Sequence, residues 1–351
     1  MRPEQWEHYK RAAKRQPIDR VPISLIIDSP WIPGHTGVKH MDFYFDPEAW
    51  FQATLSVVQE FPEVIFFPGW WIEYGMAIEP SALGSRIRFW DYQPPSEAHM
   101  LFHLEDVEQL QPVDPMSDGF MAVALHRYRM HKQRIFDAGY TIPFATARGP
   151  LCTASFFRGV ERLIWDMVED PEGTHKLLRY TTDALIAWLK AQAQVIGPCV
   201  EGIFILDDIV GFVGPNEYME FAHPYMKEIC DAFPKDWVKV YHNDANVDAC
   251  VEHLPEAGFD VLNFGKQFDI AEIQARVRGR LTLMGNVNPL EIGVRGTPEE
   301  VKKETLRVLE ATGGEGIILS MGGGVSPGMP GANIRAMVEA LSEFNRARVA
   351  V

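Results

Sequence analysis

The 351-residue chain is short of cysteine: four residues, at 152, 199, 230 and 250, are scattered and form no CxxC pair. That spacing excludes a disulfide framework and predicts a reducing, cytoplasmic setting. Basic residues are also scarce, with 33 Lys and Arg against 48 Asp and Glu, for a formal charge of −15. Duplex binding needs clustered cations, so no nucleic acid is expected as a partner. Long apolar runs are missing too. Nothing approaches the ~18 residues of a membrane span, so no membrane is expected. Residues 1–20 are polar and basic, without a leader-type apolar stretch. No GxGxxG follows the first apolar run, which weakens an open doubly wound sheet, and the glycine-rich tail lacks the Lys-Ser/Thr of a P-loop. There is no internal repeat, no low-complexity tract and no linker, so one domain is expected over residues 1–351.

What is present is a 46% hydrophobic chain arranged as short apolar runs. Eight of them read as strands: Ile23–Ile27, Val64–Phe67, Thr141–Thr146, Gly202–Leu206, Val238–Tyr241, Val261–Phe264, Leu281–Met284 and Gly316–Leu319. Helical patterns fill the gaps, including Pro47–Phe61, Gly119–Ala138, residues 156–168 and 171–195, Asn216–Phe233, Val247–Ala257, Ile270–Val277, Pro298–Thr312 and Ala332–Ala347. Asp46 before Pro47 is an N-cap signal, and Gly258 a C-terminal one. Residues 76–104 read as an inserted excursion with a small hairpin near Arg86–Trp90. Alternating strands and helices predict an α/β fold, a (β/α)8 TIM barrel, with Glu4–Lys14 as an N-terminal helical extension over one end.

Such a barrel carries its reactive groups just past the C-terminal ends of the strands. Those positions hold Asp28, Trp31, Trp70, Trp71, Arg148, Asp207, Asp208, His242, Asp244, Asn263, Lys266, Asn286, Asn288 and the glycines at 322–324. The segment Val238–Asn246 is the most informative. His242 and Asp244 are two apart on an extended chain, which puts both side chains on one face, near enough to share a metal. A metal-free His–Asp hydrogen bond is the other reading. Asp207 and Asp208 can coordinate, act as a base or cap a helix, and alternation sends only one of them into the mouth. Arg148 suits a carboxylate ligand or an ion pair with Asp207. Trp31, Trp70, Trp71 and Tyr74 either line the mouth for a planar ligand or pack as an excursion covering it. Met321 opens a glycine-rich loop that permits close approach to a ligand.

Four segments resemble the uroporphyrinogen decarboxylase superfamily. Gly149-Pro-Leu-Cys-Thr-Ala154 is similar to its GPFTLA segment. Ile205-Leu-Asp-Asp208, with Gly214-Pro-Asn-Glu-Tyr218 and His223–Ile229, is similar to its mid-chain strand and helix. Tyr241-His-Asn-Asp244 falls where the methyltransferases of the superfamily carry His-x-Cys. Gly322–Pro330 with Asn333–Met337 resembles the GCGxPPGTPxENxxAM ending. The resemblance implies a barrel that either decarboxylates tetrapyrroles or transfers methyl groups with zinc and a corrinoid. The arginine-rich substrate segment of the decarboxylases, RPVWxMRQAGRY, is replaced by Arg20–Asp28, and the second zinc cysteine by Gly323.

The resemblance therefore implies the O-demethylating branch, with oxygen and nitrogen ligands on zinc. His242 and Asp244 would be ligands, and Asp208 or Glu220 the third. Asp208, His242 and Asp244 form the expected catalytic set. Asp28, Trp31, Trp70, Trp71, Tyr74, Arg148, Asn263, Asn286 and Met321 form the expected substrate surface. The implied partners are a separate cobalamin-carrying corrinoid protein and a small-molecule, methoxylated aromatic methyl donor; a homo-oligomer is compatible with the sequence. A metal-free decarboxylase or lyase using Asp208 or Asp28 with Arg148, and a non-catalytic binding barrel, are the alternatives.

Overall fold

The computed structural model describes residues 1–349. Eight parallel strands follow one another in chain order. They are β1 (Ser24–Ile26), β2 (Ile65–Phe67), β3 (Phe144–Arg148), β4 (Gly202–Leu206), β5 (Val238–Asn243), β6 (Val261–Phe264), β7 (Thr282–Val287) and β8 (Ile317–Met321). β1 pairs with β2, and β3 to β8 form one continuous parallel ladder. Bridges Ile23–Leu319 and Ile26–Gly324 join β8 back to β1. The arrangement is a (β/α)8 barrel in which the junction between β2 and β3 carries no ladder among the described residues. Side chains close that junction: Phe67 meets Phe144 edge to face at 4.8 Å and Phe204 at 4.7 Å.

Alternation along each strand sorts the side chains. Phe144, Phe204, Leu206, Val238, Val240, Val261, Met284 and Ile318 fill the barrel interior. Their neighbours in sequence, such as Ile203, Ile205, Tyr241 and Leu262, face the helical shell and join the larger core. The first helix, α1 (Pro3–Ala13), closes the N-terminal end. Its Trp6 packs edge-on to Phe144 at 5.1 Å, and Tyr9 stacks on Phe67 at 5.4 Å. The Trp6 indole N–H donates to Glu201 Oε2 at 2.7 Å. This floor leaves the opposite end of the barrel as the mouth.

The Asp46 cap forms as expected, accepting from the N–H groups of Glu48 and Ala49. Other boundaries move. The helix expected over 156–168 is two helices, Pro150–Arg158 and Val160–Glu169, broken at Gly159 with φ 97°. The helix expected over Val247–Ala257 shrinks to Leu254–Ala257, ended by Gly258. Ahead of it the chain forms irregular turns, in which Val247 O accepts from Cys250 N and Val251 N, and Cys250 O from His253 N and Leu254 N. Asn243 Oδ1 accepts from Ala245 N, and Asn246 Oδ1 from Asp248 N. Gln267 Nε2 donates to the carbonyls of Asp244 and Ala245. In the excursion, a short helix Ile78–Ala82 precedes a two-residue hairpin, Ile87–Arg88 with Ser96–Glu97. No described helix is long and apolar enough to cross a membrane.

Candidate metal and active site

Strand β5 delivers His242. Val238 and Val240 point into the barrel, so His242 continues that row to the mouth, and Asp244 follows beyond the strand end. On the adjacent strand, Phe204 and Leu206 point inward and Asp208 extends the same row. One potential ligand atom each from Asp208, His242 and Asp244 lie within 4.8 Å of one another. His242 Nε2 is 3.5 Å from Asp208 Oδ1. The Asp244 N–H donates to the same Asp208 oxygen at 3.1 Å, which steers that carboxylate toward the imidazole.

The far side of the imidazole is fixed by Asn263. Its Nδ2 donates to the carbonyls of Met284 at 2.7 Å and Met321 at 3.1 Å. Both donor positions being spent, the amide must present Oδ1 to His242 Nδ1, 2.7 Å away. Nδ1 therefore carries the hydrogen, and Nε2 faces the two carboxylates. Outer partners of this kind set the tautomer and aim of a metal-binding histidine.

Asp244 keeps an edge in solvent, but the surrounding protein raises its pKa, and the Asp208 charge adds to that; His242 and Arg148 oppose it. A cation between the carboxylates would reverse that cost. Gly323 makes the room. A Cβ there would sit 2.9 Å from Asp244 Oδ2, on a backbone with φ 115°. The glycine that replaces the second cysteine of the superfamily pattern is thus in contact with the aspartate that replaces the first.

Asp207 points away from the mouth, as alternation requires of one of the pair. Its carboxylate accepts the N–H groups of Leu151 at 3.0 Å and Cys152 at 2.9 Å, capping the Pro150–Arg158 helix from the next strand. Arg148 is therefore not its ion-pair partner. The Arg148 guanidinium makes no ion pair within 4.0 Å among the described residues and reaches only the Gly75 carbonyl, at 3.4 Å. Burial works against its charge, while Glu79, Asp208 and Glu73 support it.

The aromatic residues divide. Trp71 stays at the mouth, 6.2 Å from Phe204 and with Arg148 5.9 Å from its ring. The other three are packing residues, a correction to the expected substrate surface. Trp31 is buried, stacks on His35 at 4.2 Å and donates to the Met329 carbonyl. Trp70 packs into Trp50, Phe51 and Tyr140. Tyr74 lies buried beside Tyr44 and Phe120. Met321 faces the helical shell and supplies only its carbonyl, to Asn263. Asn286 is buried and donates to the carbonyls of Phe268 and Gly265. Asn288 caps the turn Pro289–Val294. Glu220 is corrected as well. It is exposed and stands 3.8 Å from His175, because its helix turns Tyr218 and Phe221 inward instead.

Two residues were missed from the sequence. Glu73, after β2, and Glu79, in the excursion, are buried beside Arg148. Glu79 Oε1 accepts the Arg148 N–H at 2.8 Å. Glu73 lay two residues past the Trp-Trp pair and was within reach of the strand-end rule; nothing in the sequence marked Glu79.

The sequence profile of the family described as Uroporphyrinogen decarboxylase (URO-D) matches residues 5–344. The chain belongs to the uroporphyrinogen decarboxylase family. Among curated relatives, uroporphyrinogen decarboxylase of Methylococcus capsulatus is 26% identical, covering 96% of this chain and 97% of that protein. The Danio rerio decarboxylase is 25% identical, covering 96% and 93%. Among solved structures, a methyltransferase from Methanosarcina mazei superposes with a TM-score of 0.84 at 20% identity, covering 97% of this chain and 98% of that one. That likeness supports the barrel. Within the family, this chain combines a His–Asp–Asp mouth with an acidic surround of Arg148.

Proposed function

We propose that the protein is a substrate:corrinoid protein methyltransferase, moving a methyl group from a methoxylated aromatic compound to the Co(I) corrinoid of a separate protein. The observation that carries this reading is the Asp208–His242–Asp244 cluster, with the imidazole tautomer held by Asn263. Nitrogen and oxygen donors suit zinc, and three protein ligands leave a position open for substrate. When bound, zinc would act as a Lewis acid toward the ether oxygen of the donor. The chain's own residues would do the rest. Asp208, His242 and Asp244 would hold the ion, Asn263 would aim His242, and Trp71 would offer a ring face to the aromatic substrate beside Arg148.

A decarboxylase reading fits the names of the curated relatives, but the mouth argues against a polycarboxylate substrate. Around the single guanidinium of Arg148 stand Asp28, Glu73, Glu79, Asp208 and Asp244. The test is methyl transfer from methoxylated aromatics to a Co(I) corrinoid protein, followed by the cobalt absorption spectrum. Zinc-dependent transfer, reduced by at least about 100-fold in His242→Ala, is expected on loss of a metal ligand. Turnover of a porphyrinogen with no effect of zinc would favour the decarboxylase instead.

A further inference from the structure

Three of the acids around Arg148, namely Asp28, Glu73 and Glu79, lie outside the metal-type cluster, and they differ in the hydrogen bonds they accept. Glu73 is held as a carboxylate: Oε1 accepts the Ser29 N–H, and Oε2 accepts the Gly75 N–H at 3.0 Å. Glu79 accepts the Arg148 N–H. Asp28 has only its own backbone N–H. Tyr44, which also feels the Asp28 charge, spends its hydroxyl on Ser29 Oγ at 2.7 Å. Two carboxyls in one poorly solvated site do not both ionise readily, and the proton goes to the one with fewer donors. Here that is Asp28. Burial and the Glu73 charge both raise its pKa well above the ordinary value, while Arg148 opposes them.

Position gives that proton a use. Ile26 points into the barrel, so Asp28, two residues on, points to the mouth. It is half-buried at the strand end. Trp71 is the aromatic residue kept at the mouth, and Arg148 acts electrostatically on both Asp28 and Asp244. The acid nest and the metal-type cluster therefore border one mouth. β1 and β5 stand on opposite sides of the barrel, so a substrate in the mouth lies between them.

We propose that Asp28 is a catalytic acid that gives a proton to the leaving oxygen of the methyl donor. This role rests on the methyltransferase reading above. The carbon–oxygen bond breaks with its electron pair on oxygen, and that oxygen takes the proton of Asp28. The Co(I) of the partner corrinoid supplies the pair for the new cobalt–carbon bond, cobalt passing formally from +1 to +3. The products are the free hydroxyl compound, the methylated corrinoid and the Asp28 carboxylate. A carboxylic acid kept neutral by its site is a known way to have a proton donor ready at neutral pH.

Two measurements test it. The first is an infrared pH titration of the whole protein, reading the carboxylic acid C=O band in wild type, Asp28→Asn and Glu73→Gln. The wild type should keep a band at neutral pH that Asp28→Asn lacks. In Glu73→Gln, with the neighbouring charge gone, the band should remain but titrate at lower pH. A band removed by Glu73→Gln and kept in Asp28→Asn, or no difference between wild type and Asp28→Asn at neutral pH, overturns the proposal. The second is methyl transfer across donors whose leaving oxygens differ in basicity. Asp28→Asn should lower kcat by about 100-fold or more with little change in KM, the loss growing with leaving-group basicity. An equal loss for every donor makes Asp28 a positioning residue and overturns the proton-donor role. No transfer by the wild type sinks the methyltransferase reading and this role with it, while the infrared result still fixes the charge of Asp28.

Discussion

At the scale of single residues, the site depends on Asn263 as much as on the groups that would touch a metal. Asn263 satisfies two carbonyls and one imidazole N–H, all buried. Replacing it with alanine leaves those groups without partners, at a cost of about 1–3 kcal/mol in stability. It also frees His242 to rotate or change tautomer, so Asn263→Ala should weaken zinc binding about 10–100-fold. Unfolding in denaturant and a competitive zinc titration read the two effects separately; unchanged affinity would mean that His242 needs no orienter. His242 and Asp244 were legible in the sequence because a period of two puts them on one face wherever the strand lies. The three aromatics were not. Trp31, Trp70 and Tyr74 near strand ends look the same whether they line a mouth or pack behind it, and only the neighbours that cover them decide.

At the scale of elements, the loop after β8 and the turn after β5 are fitted to each other. Gly323 has a backbone that L-residues rarely adopt, and a side chain there would press on Asp244. Gly323→Ala should therefore lower the melting temperature and weaken metal binding, whereas Gly324→Ala, with its nearest neighbours at 3.8 Å, should affect neither through contact with Asp244. Equal zinc affinity in Gly323→Ala and wild type would contradict this coupling. The strands were readable because each is an apolar run between helical patterns. The segment 247–253 has an apolar spacing that fits a helix but forms irregular turns, with Val247 O and Cys250 O each taking two N–H groups, and the spacing alone does not separate the two. Glu220 failed for a related reason: its helix is seven residues long, and which face turns inward depends on Tyr218 and Phe221.

At the scale of the whole molecule, several acids are buried in excess of their cations. Burial raises the pKa of Asp28, Glu73, Glu79 and Asp207. Above the unfolded carboxylate value of about 4 the folded chain then binds more protons than the unfolded one, so stability falls as pH rises toward the raised native values. The salt-bridged surface acids, such as Glu60 and Glu201, work in the opposite direction, with their stabilisation lost only as pH falls below about 4. Melting temperatures from about pH 5 to pH 9 should fall more steeply in wild type than in Asp28→Asn, which has no charge to form there. Parallel curves for the two proteins would contradict the assignment.

Asp208, His242 and Asp244 are proposed to hold one zinc ion together. The most direct measurement is the metal content of the protein purified without chelator, for wild type and for Asp208→Ala, His242→Ala and Asp244→Ala. About one zinc per chain is expected in the wild type, the single site that these ligands define, and its loss in each variant. A wild type that takes up no metal even when zinc is supplied, or zinc retained in full by His242→Ala, would contradict it.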